Sequence, residues 1–184
     1  MTSEEELRRM TVGEPRRHDA PVTLVDYDPA WPDMYAREAA RVRAALGDRV
    51  LLLEHTGSTA VPGLAAKPII DMTLAVADSS REDDYVPDLE AAGFVLRIRE
   101  PDWYEHRMLK GPGADVNLHV FSAGCEEIDR MLRFRDRLRA SDSDRALYEA
   151  RKRELAAREW RYVQHYADAK SDVVREILGR AAPR

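Results

Sequence analysis

Apolar residues recur at Tyr35, Ala39, Val42 and Leu46, on one face of a 3.6-residue period. That pattern predicts an α-helix that opens after Asp28-Pro29 and stops at Gly47. The continuous run Val50-Leu51-Leu52-Leu53 then suits a buried strand. Ile69 to Val76 predicts a second strand, with Ile69, Asp71, Thr73 and Ala75 on one face and Ile70, Met72, Leu74 and Val76 on the other. Residues 81–92 read as a helix ended by Gly93. Phe94 to Ile98, Tyr104 to Lys110 and Val116 to Phe121 read as further strands, the last two joined in a hairpin through Gly111-Pro112-Gly113. Val22 to Val25 alternates weakly and reads as one more short strand. From about residue 124 the chain is helical, with breaks near Ser141 and Asp168. Residues 1–20 are polar, with no sustained period, and are expected to be a flexible leader or a short added helix. Residues 21–184 are expected to form a single α/β (α+β) domain: a mixed sheet flanked by helices, with a helical C-terminal extension over about 124–184.

Composition narrows the function classes. The chain has 184 residues, 34 acidic against 29 basic, and a net charge of -5. Backbone binding along a nucleic acid needs concentrated positive charge, so extensive nucleic-acid contact is not expected. A local basic site remains compatible, and the basic residues are lopsided: Lys67, Lys110, Lys152 and Lys170 are the only lysines. No apolar run approaches the ~18–20 residues of a membrane span, and MTSEEELRRM is not a secretory signal. The single Cys125 excludes an intramolecular disulfide and reads as a small packing residue, so a reducing, cytoplasmic setting is expected.

Candidate chemistry gathers between Glu54 and Asp71. A strand runs into Gly57-Ser58, where glycine allows close backbone approach and serine adds a hydroxyl, a good cradle for phosphate. Asp71 then lies in an otherwise apolar strand, where a carboxylate is costly unless it meets a cation, a metal or a donor. Lys67, just before that strand, is placed to contact a phosphate or carboxylate in the same pocket. Asp115, Asn117 and His119 share one strand face, and His119 reads as a ligand or a proton-transfer group. His55 reads first as a structural residue. Arg107 is a candidate clamp for a phosphate or carboxylate, and His106 is expected only to pack. Arg135, Arg137 and Arg139 with Asp136 read as a charged helix face, and Met131, Leu132 and Leu138 as core.

Gly-Ser, a spacer and a strand Asp resemble the nucleotidyltransferase superfamily. The run HTGSTAVPGLAAKPIIDM is very similar to the signature of the GrpB family of nucleotidyltransferase-like proteins. Val25 to Trp31, Asn117 to Phe121, Phe134 to Arg139, Tyr148 with Lys152, and Tyr166 with Lys170 match further family blocks in order, over roughly residues 22–182. The resemblance implies a nucleotidyltransferase-like fold. It implies a turn Gly57-Ser58-Thr59 that holds nucleotide phosphates, and an Asp71 that holds Mg²⁺ or Mn²⁺ for in-line transfer of a nucleotidyl group. Tyr166 and Lys170, four apart on one helix face, are then expected to close the site.

The sequence departs from the superfamily pattern at Thr73, where a second carboxylate is normal. A divalent site would therefore rest on Asp71 with neutral ligands. Asp71, His119 and His55 together would suit a transition metal, or an acid/base cluster acting on another small molecule. A non-catalytic nucleotide-binding or accessory role is the remaining class. Relatives of this type can be joined to a CoA-pathway kinase, although this chain has no Gly-x-x-x-x-Gly-Lys phosphate loop. In every case the expected partner is a nucleotide or another anionic small molecule, not a membrane.

Overall fold

The computed structural model describes residues 1–112 and 115–181. Its centre is a five-stranded mixed sheet built from β2 (Leu52–Thr56), β3 (Ile70–Val76), β4 (Val95–Glu100), β5 (His106–Lys110) and β6 (Val116–Ser122). Their order across the sheet is β2-β3-β6-β5-β4. Only β3 and β6 run parallel, because the chain between them crosses over through a helix and two strands. The expected hairpin of β5 and β6 is present, and Gly113 of its turn lies outside the described residues.

The period of two divides the sheet into two faces, each with its own cover. Ile70, Met72, Leu74 and Val76 join Leu118 and Val120 beneath α2 (Trp31–Leu46) and α3 (Val86–Ala91). α2 forms where the heptad-like pattern predicts, and Asp28 Oδ1 accepts the Ala30 N–H at 2.8 Å beside Pro32 in the first turn. Ile70, Met72 and Leu74 are fully buried, and each such side chain contributes about 1.5–3 kcal/mol of burial. On the other face, Ala75 and Phe121 pack against Ile128 and Leu132 of α4 (Glu126–Ala140), with Met131 and Cys125 alongside.

The helical extension continues with α5 (Asp142–Ala156), α6 (Val163–Asp168) and α7 (Ser171–Leu178). The break at Ser141 is a cap, its hydroxyl accepting the Asp144 N–H at 3.2 Å. A further break was not legible in the sequence: β7 (Glu159–Trp160) pairs with β1 (Ala20–Pro21). Val61 and Leu64 of the signature loop are buried with Leu138, Tyr148, Val173 and Ile177, so the extension packs directly on that loop.

Several sequence expectations shift. The first strand of the sheet sits at Leu52–Thr56 rather than Val50–Leu53, and Val22–Val25 makes only a single bridge, Val25 to Ala66. Within residues 81–92 only Val86–Ala91 is α-helical, preceded by a 3-10 turn at Glu82–Asp84. In residues 1–20 the short-helix alternative holds for α1 (Glu4–Met10), which starts with a reciprocal Ser3–Glu6 capping box and buries Leu7. Thr2 N–H donates to Asp168 Oδ2 at 2.6 Å, and Thr11 bridges to Ile98 on the edge strand β4. The charged face of α4 is tied into the fold by Arg135 and Arg137. Arg135 Nη1 donates to Glu54 Oε2 at 2.7 Å and to the His55 carbonyl at 3.0 Å, while Arg137 Nε donates to the buried Asp144 at 2.6 Å. Among the described residues, no helix is long and apolar enough to cross a membrane.

Candidate functional site: a lysine cluster around Asp71

β2 ends at Thr56, and Gly57 turns the chain with φ 67° and ψ -171° into a 3-10 turn, Ser58–Ala60. Few residues other than glycine adopt that backbone. Space excludes them as well: a Cβ on Gly57 would lie 2.9 Å from Asp71 Cβ and 3.0 Å from Asp71 Cγ. The turn therefore lies against the Asp71 carboxylate. Ser58 shares a hydrogen bond with the hydroxyl of Tyr148, a buried residue of α5. Burial pushes the Tyr148 pKa up to about 12, with Ser58 opposing the shift.

Register places the rest. Asp71 pairs with Thr56 on one side and Asn117 on the other, and Thr73 pairs with His119. Asn117 Nδ2 donates to Asp71 Oδ1 at 2.8 Å, and His119 Nε2 stands 3.7 Å from the same oxygen. Burial works to raise the Asp71 pKa, but His119, Asn117 and the Lys67 charge outweigh it and hold the carboxyl below its ordinary value.

Lys67 and Lys170 stand close enough to feel the charge of this carboxylate, and the other two lysines of the chain adjoin them, Lys152 feeling Lys170 and Lys110 being felt at Lys67. Lys170 Nζ lies 4.5 Å from the centre of the Tyr166 ring, and Lys67 Nζ lies 5.9 Å from the same ring. Lys152 Nζ lies 5.0 Å from the Tyr148 ring centre and donates to the Ala65 carbonyl. Lys110 is in register with Asn117, and its charge is felt at Lys67. Burial followed by the Lys170 charge lowers Lys67 to about 8 and Lys152 to about 7, and burial lowers Lys170 to about 8. Two polar atoms here have no hydrogen-bond partner: the Tyr166 hydroxyl, on a side chain 1% exposed, and Asn117 Oδ1. Crowded ammonium groups with spare polar atoms have the character of an anion site.

The structure brings together Gly57, Ser58, Asp71, His119, Lys67, Tyr166 and Lys170, and corrects three assignments. His55 does not join a metal set with Asp71 and His119. It is in register with Met72, so it points to the opposite face, where it stacks on Tyr35 at 4.7 Å and meets Thr59 Oγ1 at 3.0 Å. Burial drives its pKa down to about 4. Arg107 is in register with Val120, not His119, and so lies under the sheet, donating to Glu82 at 2.6 Å. Thr59 is 1% exposed, and its hydroxyl donates to the Ile69 carbonyl at 3.0 Å, which leaves it locking the loop rather than facing a ligand. Arg107→Leu is therefore expected to lower stability by roughly 1–3 kcal/mol while anion affinity stays unchanged, which thermal unfolding and calorimetry check together.

The donors do not fit a Mg²⁺ or Mn²⁺ ion held by paired carboxylates. The Thr73 hydroxyl is fully buried and bonded to Thr56 at 2.9 Å, and Glu54, in register with Thr73 on the same face, is held by Arg135. Among the described residues, no group of three or more His, Cys, Asp or Glu side chains is arranged to hold a metal ion. Sequence reasoning missed Lys152, Lys110, Tyr148 and Glu100 as residues of this region. The scarcity of lysine was the available signal.

A mixed sheet flanked by helices, with a Gly-Ser turn against a strand Asp, is a nucleotidyltransferase-like α/β fold. The family model described as GrpB protein matches residues 21–180, and the chain belongs to the GrpB family. It is 62% identical over 179 residues to a UPF0157 protein of Halalkalibacterium halodurans, covering 97% of this chain and 92% of that one. It is similar to the crystal structure of the conserved protein GrpB from Enterococcus faecalis, with a TM-score of 0.73 and 29% identity, over 86% of this chain and 98% of that chain. A dephospho-CoA kinase of Mycolicibacterium paratuberculosis is 31% identical over an alignment of 188 positions, gaps included, that covers 88% of this chain and 46% of the kinase.

Proposed function

We propose that the chain is a nucleotidyltransferase-type enzyme that binds a nucleotide, or a closely related phosphorylated anion, between the Gly57-Ser58 turn and the lysine cluster. The gathering of Lys67 and Lys170 beside Asp71, with Lys152 next to Lys170 and Lys110 next to Lys67, carries this reading. Transfer would form a bond from an acceptor oxygen to the α-phosphorus and break the bond to the leaving pyrophosphate, with the acceptor's proton passing to His119. Lys67, Lys152 and Lys170 would neutralise phosphate charge, the main requirement of such a step. Asp71 would keep the ammonium groups spaced and oriented. No step is assigned to a metal.

Calorimetry against ATP, GTP, CTP, UTP and dephospho-CoA, in EDTA and then in Mg²⁺ or Mn²⁺, tests the proposal. Binding of at least one nucleotide is expected to persist in EDTA. Asp71→Asn, which removes the negative charge that Lys67 and Lys170 both feel, is expected to tighten it in EDTA. Heat for none of the panel, or loss of binding in Asp71→Asn, would contradict it.

A second reading, a nucleotide-binding accessory domain, is favoured by Thr73 in place of a second carboxylate and by the similarity to part of a dephospho-CoA kinase. A nucleotide-soaked crystal separates the two. An open groove for an acceptor beside Asp71 supports transfer, and a closed one supports the accessory role.

A further inference from the structure

A line of polar side chains, joined by two hydrogen bonds, crosses the sheet from its edge toward Asp71. Glu100, the last residue of β4, places Oε2 at 2.6 Å from His106 Nδ1. His106 Nε2 lies 3.0 Å from His119 Nδ1, and His119 Nε2 then faces Asp71 Oδ1 at 3.7 Å. His106 is 4% exposed and is held by aromatic neighbours, with ring centres 4.8 Å from Phe121 and 5.2 Å from Trp103. The loop leading into it carries two consecutive non-glycine residues with positive φ, Tyr104 at 55° and Glu105 at 50°. Such backbone is adopted only where the surroundings impose it.

The chemistry of the groups fixes the direction of this line. An ionised carboxylate only accepts, so His106 Nδ1 carries the proton that is given to Glu100. The opposite arrangement would set two lone pairs against each other at 2.6 Å. Burial, the largest influence on His106, lowers its pKa to about 4 even with Glu100 beside it, so the ring is neutral near pH 7 and its Nε2 is bare. A bare Nε2 only accepts, so the proton in the 3.0 Å contact sits on His119 Nδ1. A neutral His119 so arranged has one lone pair left, on the Nε2 that faces Asp71.

We propose that Glu100 and His106 are positioning residues that hold neutral His119 in its Nδ1–H form, so that its bare Nε2 is presented beside Asp71 as the proton-accepting atom of the site. The 2.6 and 3.0 Å hydrogen bonds set this form, whereas at 3.7 Å Asp71 makes no direct hydrogen bond to His119. This deepens the transferase reading by naming the atom that would receive the acceptor's proton and the residues that aim it. Glu100 and His106 bear on tautomer and ring orientation, as outer partners of a functional imidazole commonly do.

Long-range ¹H–¹⁵N correlation spectra of the histidine side chains test it in the free protein at pH 8.5, without nucleotide. Wild-type His119 is expected as the Nδ1–H tautomer, with Nε2 bare. In Glu100→Ala the line loses its outer acceptor, and Asp71 becomes the only carboxylate at either end. His119 is then expected to switch to the Nε2–H tautomer, while His55, on the opposite face, keeps its signals as a control for folding. Asp71→Asn is expected to leave His119 as Nδ1–H. His119 found as Nε2–H in wild type, doubly protonated at pH 8.5, or in the same tautomer in Glu100→Ala, would overturn the proposal. Should Glu100→Ala not fold, the wild-type tautomer decides alone. Because no ligand is present, failure of nucleotide binding and failure of this assignment are read separately.

Discussion

Gly57→Ala is expected to remove anion binding and to cost about 2–5 kcal/mol of stability, from backbone strain together with overpacking. At the scale of a chain of this length, that is a fall of roughly 4–20 °C in Tm. Two independent causes act at this residue. Its φ of 67° with extended ψ belongs to glycine, and a Cβ would sit 2.9 Å from that of Asp71. Relief requires either the turn or Asp71 to move, and either displaces Ser58 relative to the lysines. Gly63→Ala separates the causes. Gly63 also has a positive φ of 77°, but a Cβ there meets nothing within 4 Å. It is expected to cost only the conformational part, roughly 1–2 kcal/mol, and to leave binding intact. Equal effects of the two substitutions, seen in thermal unfolding and calorimetry, would remove the close approach to Asp71 from the account.

Rising pH is expected to move stability and binding in opposite directions. An amine whose pKa is lower in the folded than in the unfolded chain binds fewer protons when folded, so stability rises with pH between those two values. For Lys152 that window runs from about 7 to the ordinary 10.5, and for Lys67 and Lys170 from about 8 to 10.5. The free protein is therefore expected to gain stability as pH rises from about 7 toward 10.5. His55 and His106, lowered from 6.5 to about 4, add their gain in the separate interval between those values. An anion needs the ammonium forms, so its affinity is expected to fall once pH passes about 8. Urea unfolding and anion calorimetry at pH 7, 8 and 9 read both trends. Lys152→Met is expected to flatten the stability rise near pH 7–8. Affinity that climbs with pH would contradict the ammonium cluster.

Much of the fold was legible because its periods are strong. The i, i+4, i+7 pattern of α2 and the alternation of β3 leave little choice of element or of face. Asp71 stood out because it is the one charge in that strand. Two of the errors at the site share one cause. His55 and Arg107 lie near Asp71 and His119 in sequence blocks, but the face a residue takes depends on register against the neighbouring strand. A shift of one position sends a side chain through the sheet. Thr59 was misread because its hydroxyl competes for the loop's own carbonyl, a contact that spans ten positions. Lys152 and Lys110 come to the cluster from α5 and β5, and no local pattern links elements so far apart in the chain. Their rarity hinted at a shared role, and tertiary packing supplied it.

The central claim is that the lysines around Asp71 form a binding site for a phosphorylated anion without help from a metal. Calorimetric titration of ATP in EDTA at pH 7, comparing wild type with Lys170→Met, tests it most directly. Lys170 sits over the Tyr166 ring, half-buried, and desolvation depresses its pKa, so its ammonium form gains from an anion beside it. Removing a charge-assisted contact of this kind costs roughly 1.5–3 kcal/mol, a weakening on the order of 10- to 100-fold. Binding by wild type with that loss in Lys170→Met is the expected result. The same affinity in both proteins, or binding that appears only when Mg²⁺ is added, would contradict it.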